Sequence, residues 1–140
     1  MLRIMMVAAA ILLAAETALA SGHGASSEPP PPPKQEGPPA RIATTKKGYM
    51  LVDLQGMTLY YFDRDDSGNK STCDGKCTEQ WKPLAAPADA KASGDFTVII
   101  RSDGSKMWAY RYRPLYTSQA DKAPGDVNGF AQQWHVARPE

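Results

Sequence analysis

The sequence predicts an all-β fold, a small β-rich domain with little helix in which two pseudo-symmetric repeats are stapled by one disulfide. Three observations carry this prediction. Short runs of branched and aromatic residues end at turn residues, and no amphipathic helix of three turns is visible. A Leu-Tyr pair with an aspartate five residues after the tyrosine occurs twice. Two cysteines lie close together in a chain that begins with an export signal.

The first 20 residues, MLRIMMVAAAILLAAETALA, have the form of a secretory signal peptide with predicted cleavage after Ala20. Arg3 supplies the positive start, Ile4–Ala15 the apolar core, and Ala18-Leu19-Ala20 the small residues before the cleavage point. The apolar core is shorter than the roughly 20 residues that a spanning helix needs, so we expect no membrane insertion after cleavage. No cysteine that could accept a lipid follows it, which predicts a periplasmic or secreted location.

Residues 21–40, SGHGASSEPPPPPKQEGPPA, are predicted to form a proline-rich disordered linker. The segment has no apolar periodicity and contains Pro29–Pro33 and Pro38-Pro39, which is typical of an extended polyproline II tether. A spacer is favoured over a ligand for a proline-binding module, because a proline run alone is weak evidence for such a partner. The folded domain is therefore predicted at 41–140.

In the first half of this domain the signals are those of a hairpin and one helical turn. Gly48–Leu54 and Met57–Asp63 are rich in branched and aromatic residues and are separated by the turn signal Gln55-Gly56. Cys77–Trp81 has room for a single helical turn, which Pro83 would stop.

The second half contains the strongest hairpin signal in the chain. Asp95–Arg101 and Lys106–Tyr112 flank Ser102–Ser105, in which Asp-Gly supplies the turn. Pro114–Ser118 and Gln133–Ala137 are predicted to be two further short strands.

The two halves share one pattern at a nearly constant distance, which indicates an internal repeat. Each half has Leu-Tyr, an aspartate five residues after the tyrosine, a turn with glycine, and then a tryptophan. The predicted repeats cover about 48–84 and 96–139, and each is expected to cover the apolar face of the other. The equivalent residues are Leu59-Tyr60 and Leu115-Tyr116, Asp65 and Asp121, and Trp81 and Trp134.

These residues also resemble the secreted-repeat family of predicted lipoproteins with a Yx(FWY)xxD motif. The first half carries Tyr60-x-Phe62-x-x-Asp65, Ser71-Thr72-Cys73, Cys77 and Trp81-x-Pro83-Leu84. The second half carries Pro114-Leu115-Tyr116, Asp121, Pro124-Gly125-Asp126, Asn128-Gly129 and Trp134. The match runs from Gly48 to Pro139 and implies an envelope protein without an established reaction. It implies no catalytic residue.

The chain departs from that family pattern at three points. Ser118 stands where the second repeat would carry an aromatic residue, and Tyr112 stands where a glycine usually precedes the basic-Pro-Leu-Tyr run. The lipid-accepting cysteine is missing, so the lipoprotein character does not carry over. The second repeat is therefore open to a different packing.

The acidic stretch after the first motif tyrosine gives a metal hypothesis. Asp63, Asp65, Ser67, Asn69 and Asp74 fall at positions 1, 3, 5, 7 and 12 of a pattern similar to an EF-hand calcium loop. A strand precedes this loop where an EF-hand has a helix, which argues against calcium. The favoured interpretation is a polar turn in which Asp and Asn side chains bind local backbone N–H groups, with calcium as the alternative.

Cys73 and Cys77 are predicted to form a disulfide, because both lie in the exported part of the chain. Their spacing differs from the C-x-x-C of thioredoxin-like proteins and from the C-x-x-C-H of haem attachment. A redox role of the pair is one alternative. A soft-metal site that uses His135 and methionines is another, although methionine on an apolar strand is usually core filler. The methionines concerned are Met50, Met57 and Met107.

The motif residues are interpreted as structural. A buried tyrosine hydroxyl needs a partner, so the hypothesis is that Asp65 and Asp121 cap turns and accept hydrogen bonds. Trp81 and Trp134 are expected in the core. For Tyr61 and Trp108 the choice between core and an exposed platform for a glycan or protein stays open.

The remaining signals narrow the function class. The net charge is +1 and the basic residues are not clustered, so no nucleic-acid partner is expected. Nucleophile motifs such as G-x-S-x-G and glycine-rich phosphate loops are missing from the sequence. We therefore predict a monomeric, non-catalytic binding or structural domain of the envelope, without a cofactor and with an unidentified envelope ligand or protein as partner. A periplasmic metal-binding protein is the alternative, and an envelope redox protein is a third hypothesis.

Overall fold

The computed structural model of the protein describes residues 34, 37–65, 70–129 and 131–140. The predicted signal peptide at 1–20 and most of the predicted linker at 21–40 lie outside these residues. The described chain consists mainly of strands and turns, which confirms the predicted all-β class. In chain order its elements are β1 (Ala40–Thr45), β2 (Gly48–Asp53), β3 (Tyr60–Phe62), α1 (Cys77–Gln80), β4 (Trp81–Pro83), β5 (Phe96–Ile100), β6 (Lys106–Tyr110), β7 (Arg113–Pro114), β8 (Tyr116–Ser118) and β9 (Trp134–Val136).

Within the described residues the strands form three small sheets. β1 and β2 pair in a two-stranded sheet, β5, β6 and β7 form a three-stranded sheet, and the third sheet has the order β4-β8-β3-β9. The strong Asp-Gly signal is confirmed, since β5 and β6 form an antiparallel hairpin around it. The Cys77–Trp81 segment is confirmed as one helical turn, although Trp81 itself already begins a strand.

The predicted hairpin of Gly48–Leu54 with Met57–Asp63 is confirmed only as a short antiparallel contact. The Val52–Thr58 bridge joins the segments, with hydrogen bonds from Leu59 to Leu51 (3.0 Å) and from Asp53 to Met57 (2.9 Å), whereas β2 pairs along its whole length with β1. The Asp53 carboxylate bonds the backbone N–H groups of Gln55 and Met57, which closes a tight turn and sends the chain into another sheet. β1 was not predicted, because it follows the proline-rich segment and only one of its six residues is buried.

The four-stranded sheet interleaves the two repeats. Tyr60 and Tyr116 lie directly opposite each other at the centre of this sheet, where β3 pairs with β8. The tryptophan strand β4 of the first repeat pairs with β8 of the second, and the tryptophan strand β9 of the second repeat pairs with β3 of the first. Each repeat therefore completes its sheet with a strand from the other, around a pseudo-twofold centre.

A closed ring of three backbone hydrogen bonds occurs once in each half. In one ring Leu51 donates to Ala137 (2.9 Å), Ala137 to Leu59 (2.8 Å) and Leu59 to Leu51 (3.0 Å). In the other, Trp108 donates to Leu84 (2.8 Å), Leu84 to Leu115 (2.8 Å) and Leu115 to Trp108 (3.0 Å). The matching rings extend the pseudo-symmetry from the sheet to the loops that leave it. Both rings also join residues of different repeats.

Large aromatic side chains fill the core between the repeats. The rings of Trp81 and Trp134 stack at 3.9 Å with an angle of 6° between their planes. Tyr60 meets the edge of Trp81, and Tyr116 meets the edge of Trp134. Trp108, which was left open as an exposed platform, is buried in a second cluster with Leu59 and Leu115 among its members.

Candidate functional site

The two motif aspartates bind the motif tyrosines across the repeats. The Tyr60 hydroxyl donates to Asp121 Oδ2 at 2.8 Å, and the Tyr116 hydroxyl donates to Asp65 Oδ2 at 2.6 Å. All four side chains are buried. The structure therefore contains two equivalent carboxylate sites, and each joins a tyrosine of one repeat to an aspartate of the other. We call them the Asp65 site and the Asp121 site.

The Asp121 site is held mainly by backbone groups. Asn128 N–H donates to Asp121 Oδ1 at 2.7 Å, and Gly129 N–H donates to the Tyr60 hydroxyl at 3.2 Å. A Cβ atom added at Gly129 would lie 2.7 Å from the Tyr60 ring and 2.9 Å from the Trp81 ring. Glycine is needed here because the backbone approaches both rings too closely for any side chain.

The Asp65 site has the same plan but additional side-chain support. Thr72 donates to Asp65 Oδ1 from its backbone N–H (2.7 Å) and from its hydroxyl (2.8 Å). Ser71 Oγ lies 2.6 Å from the Tyr116 hydroxyl and accepts from Arg101 at 3.3 Å. The network thus extends from the carboxylate through two hydroxyls to a guanidinium.

Arg101 ties this network to the disulfide loop. Its buried guanidinium donates to the carbonyl of Cys73 at 2.9 Å and to Asp74 Oδ1 at 3.1 Å. Cys73 and Cys77 are joined in the predicted disulfide. Burial of an arginine is tolerated because several of its N–H donors have partners. The disulfide and Arg101 together fix the segment that carries Ser71 and Thr72.

Burial and the neighbouring carboxylates keep both tyrosines protonated. The pKa of Tyr60 is raised above its usual value, first by burial and then by its hydrogen bond to Asp121. The pKa of Tyr116 is raised by the same causes, with Asp65 as acceptor. A tyrosine whose hydroxyl is a committed donor is not poised to act as a base at neutral pH. The chemistry of both sites is that of structural hydrogen bonding.

The residues of the calcium hypothesis have other partners wherever they are described. Asp63 Oδ2 lies 2.9 Å from His135 Nε2, and Asp65 and Asp74 make the contacts given above. Ser67 and Asn69 lie outside the described residues. Among the described residues no three His, Cys, Asp or Glu side chains come together as a metal site would require. Calcium binding by this loop stays a prediction, and calorimetric titration with millimolar calcium tests it.

A surface groove is formed where β3 lies beside the turn that connects β6 to β7. The cavity measures about 470 Å³ and its lining includes Tyr61, Phe62, Asp63, Arg111, Tyr112 and Arg113. A second cavity of about 460 Å³ shares Tyr61, Arg111 and Arg113 and continues to Arg138 and Glu140. We refer to the two adjoining cavities together as the groove.

Tyr61 is the common element of the groove. The guanidinium of Arg113 lies over its ring, 4.4 Å from the centroid, and the His135 ring stacks against it at 5.2 Å. Contacts of this kind hold an aromatic ring in one orientation. The Tyr112 side chain is 59% exposed at the same groove. The groove therefore presents ring surfaces next to charged groups.

The turn that forms one wall has an unfavourable backbone for the residues it carries. Arg111 and Tyr112 have φ of 45° and 67°, a left-handed conformation in which Asn and Gly are preferred. At the equivalent turn of the first repeat, Gly56 has φ of 87°. Equivalent positions with positive φ thus carry glycine in one repeat and tyrosine in the other, although Arg111 also has positive φ and its counterpart Gln55 does not.

The groove was not predicted from the sequence, in which the basic residues are not clustered. One signal was available. Tyr112 stands where the family pattern has glycine. A large side chain at a position that favours glycine implies backbone strain. The partners of Tyr61 could not be anticipated, since Arg113 and His135 come from distant parts of the chain.

Comparison with known proteins gives one family. The model of a secreted repeat of unknown function matches residues 41–85 and again residues 97–138. These two matches contain both tyrosine–aspartate motifs. No curated protein and no solved structure matches the chain. None of the helices among the described residues has the length and apolar character to cross a membrane.

Proposed function

The chain belongs to the family of secreted repeats of unknown function, and we propose that it is a non-catalytic glycan-binding domain of an exported protein. Membership in a secreted family supports export. The proposed binding site is the groove, where Tyr61 and Tyr112 offer ring faces and Asp63, Arg111 and Arg113 offer polar groups. Open, elongated surfaces of this composition suit a sugar chain, whose rings have both apolar faces and hydroxyl groups.

The observation that carries the proposal is Tyr112. A non-glycine residue in the left-handed region costs on the order of 1 kcal/mol, and this cost is commonly found at functional positions. The Tyr112 ring is mostly exposed, so it does not recover that cost by burial in the core. Tyrosine supplies a large amphipathic contact surface to a ligand with little loss of side-chain entropy.

A glycan is favoured over a peptide because of how the groove is made. Extended peptides most often bind by adding a strand to an open sheet edge, where backbone groups supply the hydrogen bonds. The groove meets two sheet edges, at Arg113 of β7 and Val136 of β9, but these strands have only two and three residues, too few for an added peptide strand to pair along. The polar side chains of the groove are thus suited to bind hydroxyl groups that project from a ligand.

The test is binding of the full secreted chain to an array of neutral and acidic oligosaccharides. We expect capture by at least one class, and a loss of at least tenfold in affinity for Tyr112→Gly, because the ring is removed. The matched control is Gln133→Gly, which replaces another exposed residue with positive φ (70°) that does not line the groove. That variant should bind as the unaltered chain does.

The design separates a binding role from a structural one. Glycine adopts positive φ without steric cost, so the Tyr112→Gly variant should be at least as stable as the unaltered chain. Loss of binding without loss of stability supports the proposal. Binding that is unaffected by Tyr112→Gly, or an array on which no oligosaccharide is captured, would overturn it.

A further inference from the structure

The arginines of the groove differ in what their charge is paired with. Arg111 has Asp95 at 3.4 Å and Glu140 at 3.2 Å. Arg113 has no carboxylate within 4 Å and makes no hydrogen bond to any residue that the structure describes; its contact there is with the Tyr61 ring. One groove arginine is therefore neutralised by the protein, while the guanidinium of the other keeps its N–H donors for an external group.

Arg101 shows how this chain treats an arginine with a structural role. Its guanidinium is buried, and it donates to Ser71, to the carbonyl of Cys73 and to Asp74. Arg113 has the opposite character, since it is exposed and its guanidinium lies over an aromatic ring. A guanidinium held over a ring is restrained in position without using its donors, which suits it to paired hydrogen bonds with a carboxylate.

From these contacts we infer that the ligand of the groove is an acidic glycan, and that Arg113 anchors one of its sugar carboxylates. This inference rests on the proposed glycan-binding function and adds the chemical class of the sugar. Tyr112 and Tyr61 contact the sugar rings, and Arg113 binds the carboxylate of a uronic acid residue. Arg111 is not the anchor, because its charge is already paired with Asp95 and Glu140.

Three defined oligosaccharides test the inference by calorimetric titration of the full secreted chain. Chitohexaose is neutral, a hyaluronate hexasaccharide alternates the same N-acetylglucosamine with glucuronate, and a κ-carrageenan hexasaccharide carries sulfate without carboxylate. We expect hyaluronate to bind about 10- to 100-fold more tightly than chitohexaose, the range for charge-assisted hydrogen bonds to a carboxylate. This preference should shrink as salt is added, because the groove is open to solvent.

Substitutions of Arg113 assign the preference to that side chain. Arg113→Gln should abolish the difference between hyaluronate and chitohexaose, because the affinity for hyaluronate falls by more than the affinity for chitohexaose. Arg113→Lys keeps the charge but loses the planar pair of donors, so it should retain only part of the preference. Arg41→Gln removes the same charge from an exposed position outside the groove and should change neither affinity.

Each outcome has a distinct meaning. Equal binding of hyaluronate and chitohexaose, or a preference that survives in Arg113→Gln, overturns the carboxylate anchor and leaves the glycan-binding proposal standing. Tighter binding of carrageenan than of hyaluronate overturns the choice of carboxylate over sulfate. Failure of all three oligosaccharides to bind overturns the inference, while the array decides separately whether the glycan-binding role stands.

Discussion

The two repeats are nearly identical inside and different outside. In the core, Tyr60 with Asp121 and Tyr116 with Asp65 form the same cross-repeat hydrogen bond at 2.8 and 2.6 Å. On the surface, the turn before Thr58 carries Gly56, whereas the turn before Pro114 carries Tyr112. Gly56 is buried with Pro124 against it, while Tyr112 is exposed at the groove.

This difference separates residues that make the fold from residues that are free to serve a ligand. Where both repeats carry the same group in the same contact, folding explains it. Where equivalent residues both have positive φ but differ in side chain, as at Gly56 and Tyr112, folding gives no reason for the larger residue. The groove is therefore on the face where the pseudo-symmetry is broken.

The largest effects are expected at the two carboxylate sites. From residues that the structure describes, Asp65 accepts three hydrogen bonds and Asp121 accepts two. Each buried donor left without a partner costs about 1–3 kcal/mol, so Asp65→Ala should lower the free energy of unfolding by about 4 kcal/mol and Asp121→Ala by about 3 kcal/mol. Urea unfolding monitored by tryptophan fluorescence measures both, with the exposed Asp89→Ala as a control without effect. A larger loss for Asp121→Ala than for Asp65→Ala would contradict the expectation that the carboxylate with more hydrogen bonds contributes more to stability.

Alkaline pH should lower the free energy of unfolding, because each repeat contains a buried tyrosine with a raised pKa. The pKa values of Tyr60 and Tyr116 are raised in the folded protein from an ordinary value of 10.0, so the unfolded chain releases these protons first. Their stabilising contribution is complete below pH 10 and is lost as pH rises above it, at about 1.4 kcal/mol per pH unit for each tyrosine. Unfolding curves between pH 9 and pH 11 measure the slope. Tyr60→Phe and Tyr116→Phe should each remove about half of it, and an unchanged slope in both variants would contradict the assignment.

The smallest effects on stability are expected at the two turns, and with opposite signs. Gly56→Ala places a Cβ 3.1 Å from Pro124 at positive φ and should destabilise by about 2 kcal/mol. Tyr112→Gly relieves a left-handed residue and should leave stability unchanged or raise it by up to about 1 kcal/mol. Thermal melting of the two variants checks this contrast. A clear loss of stability in Tyr112→Gly would mean that the tyrosine has a structural role.

The sequence predicted local features well, but it did not predict which strands of the two repeats pair with each other. The Asp-Gly hairpin, the disulfide and the paired motifs are encoded within a few residues and could be predicted. β1 and the hairpin predicted at Gly48–Asp63 show the limit, because β2 contacts both neighbours and the local pattern does not reveal that its full-length partner is β1. The proximity of Tyr61 to Arg113 depends on how the repeats interleave, so the groove could not be located from the sequence.

Two double-mutant cycles test most directly whether each motif tyrosine bonds the aspartate of the other repeat. Tyr60→Phe combined with Asp121→Asn removes a cross-repeat contact, whereas Tyr60→Phe combined with Asp65→Asn pairs residues of one motif that share no hydrogen bond. We predict a coupling energy of about 1 kcal/mol in the first cycle and nearly additive effects in the second. Coupling confined to Tyr60 and Asp65 would instead show that each repeat satisfies its own tyrosine, and would contradict the interleaved fold on which the groove depends.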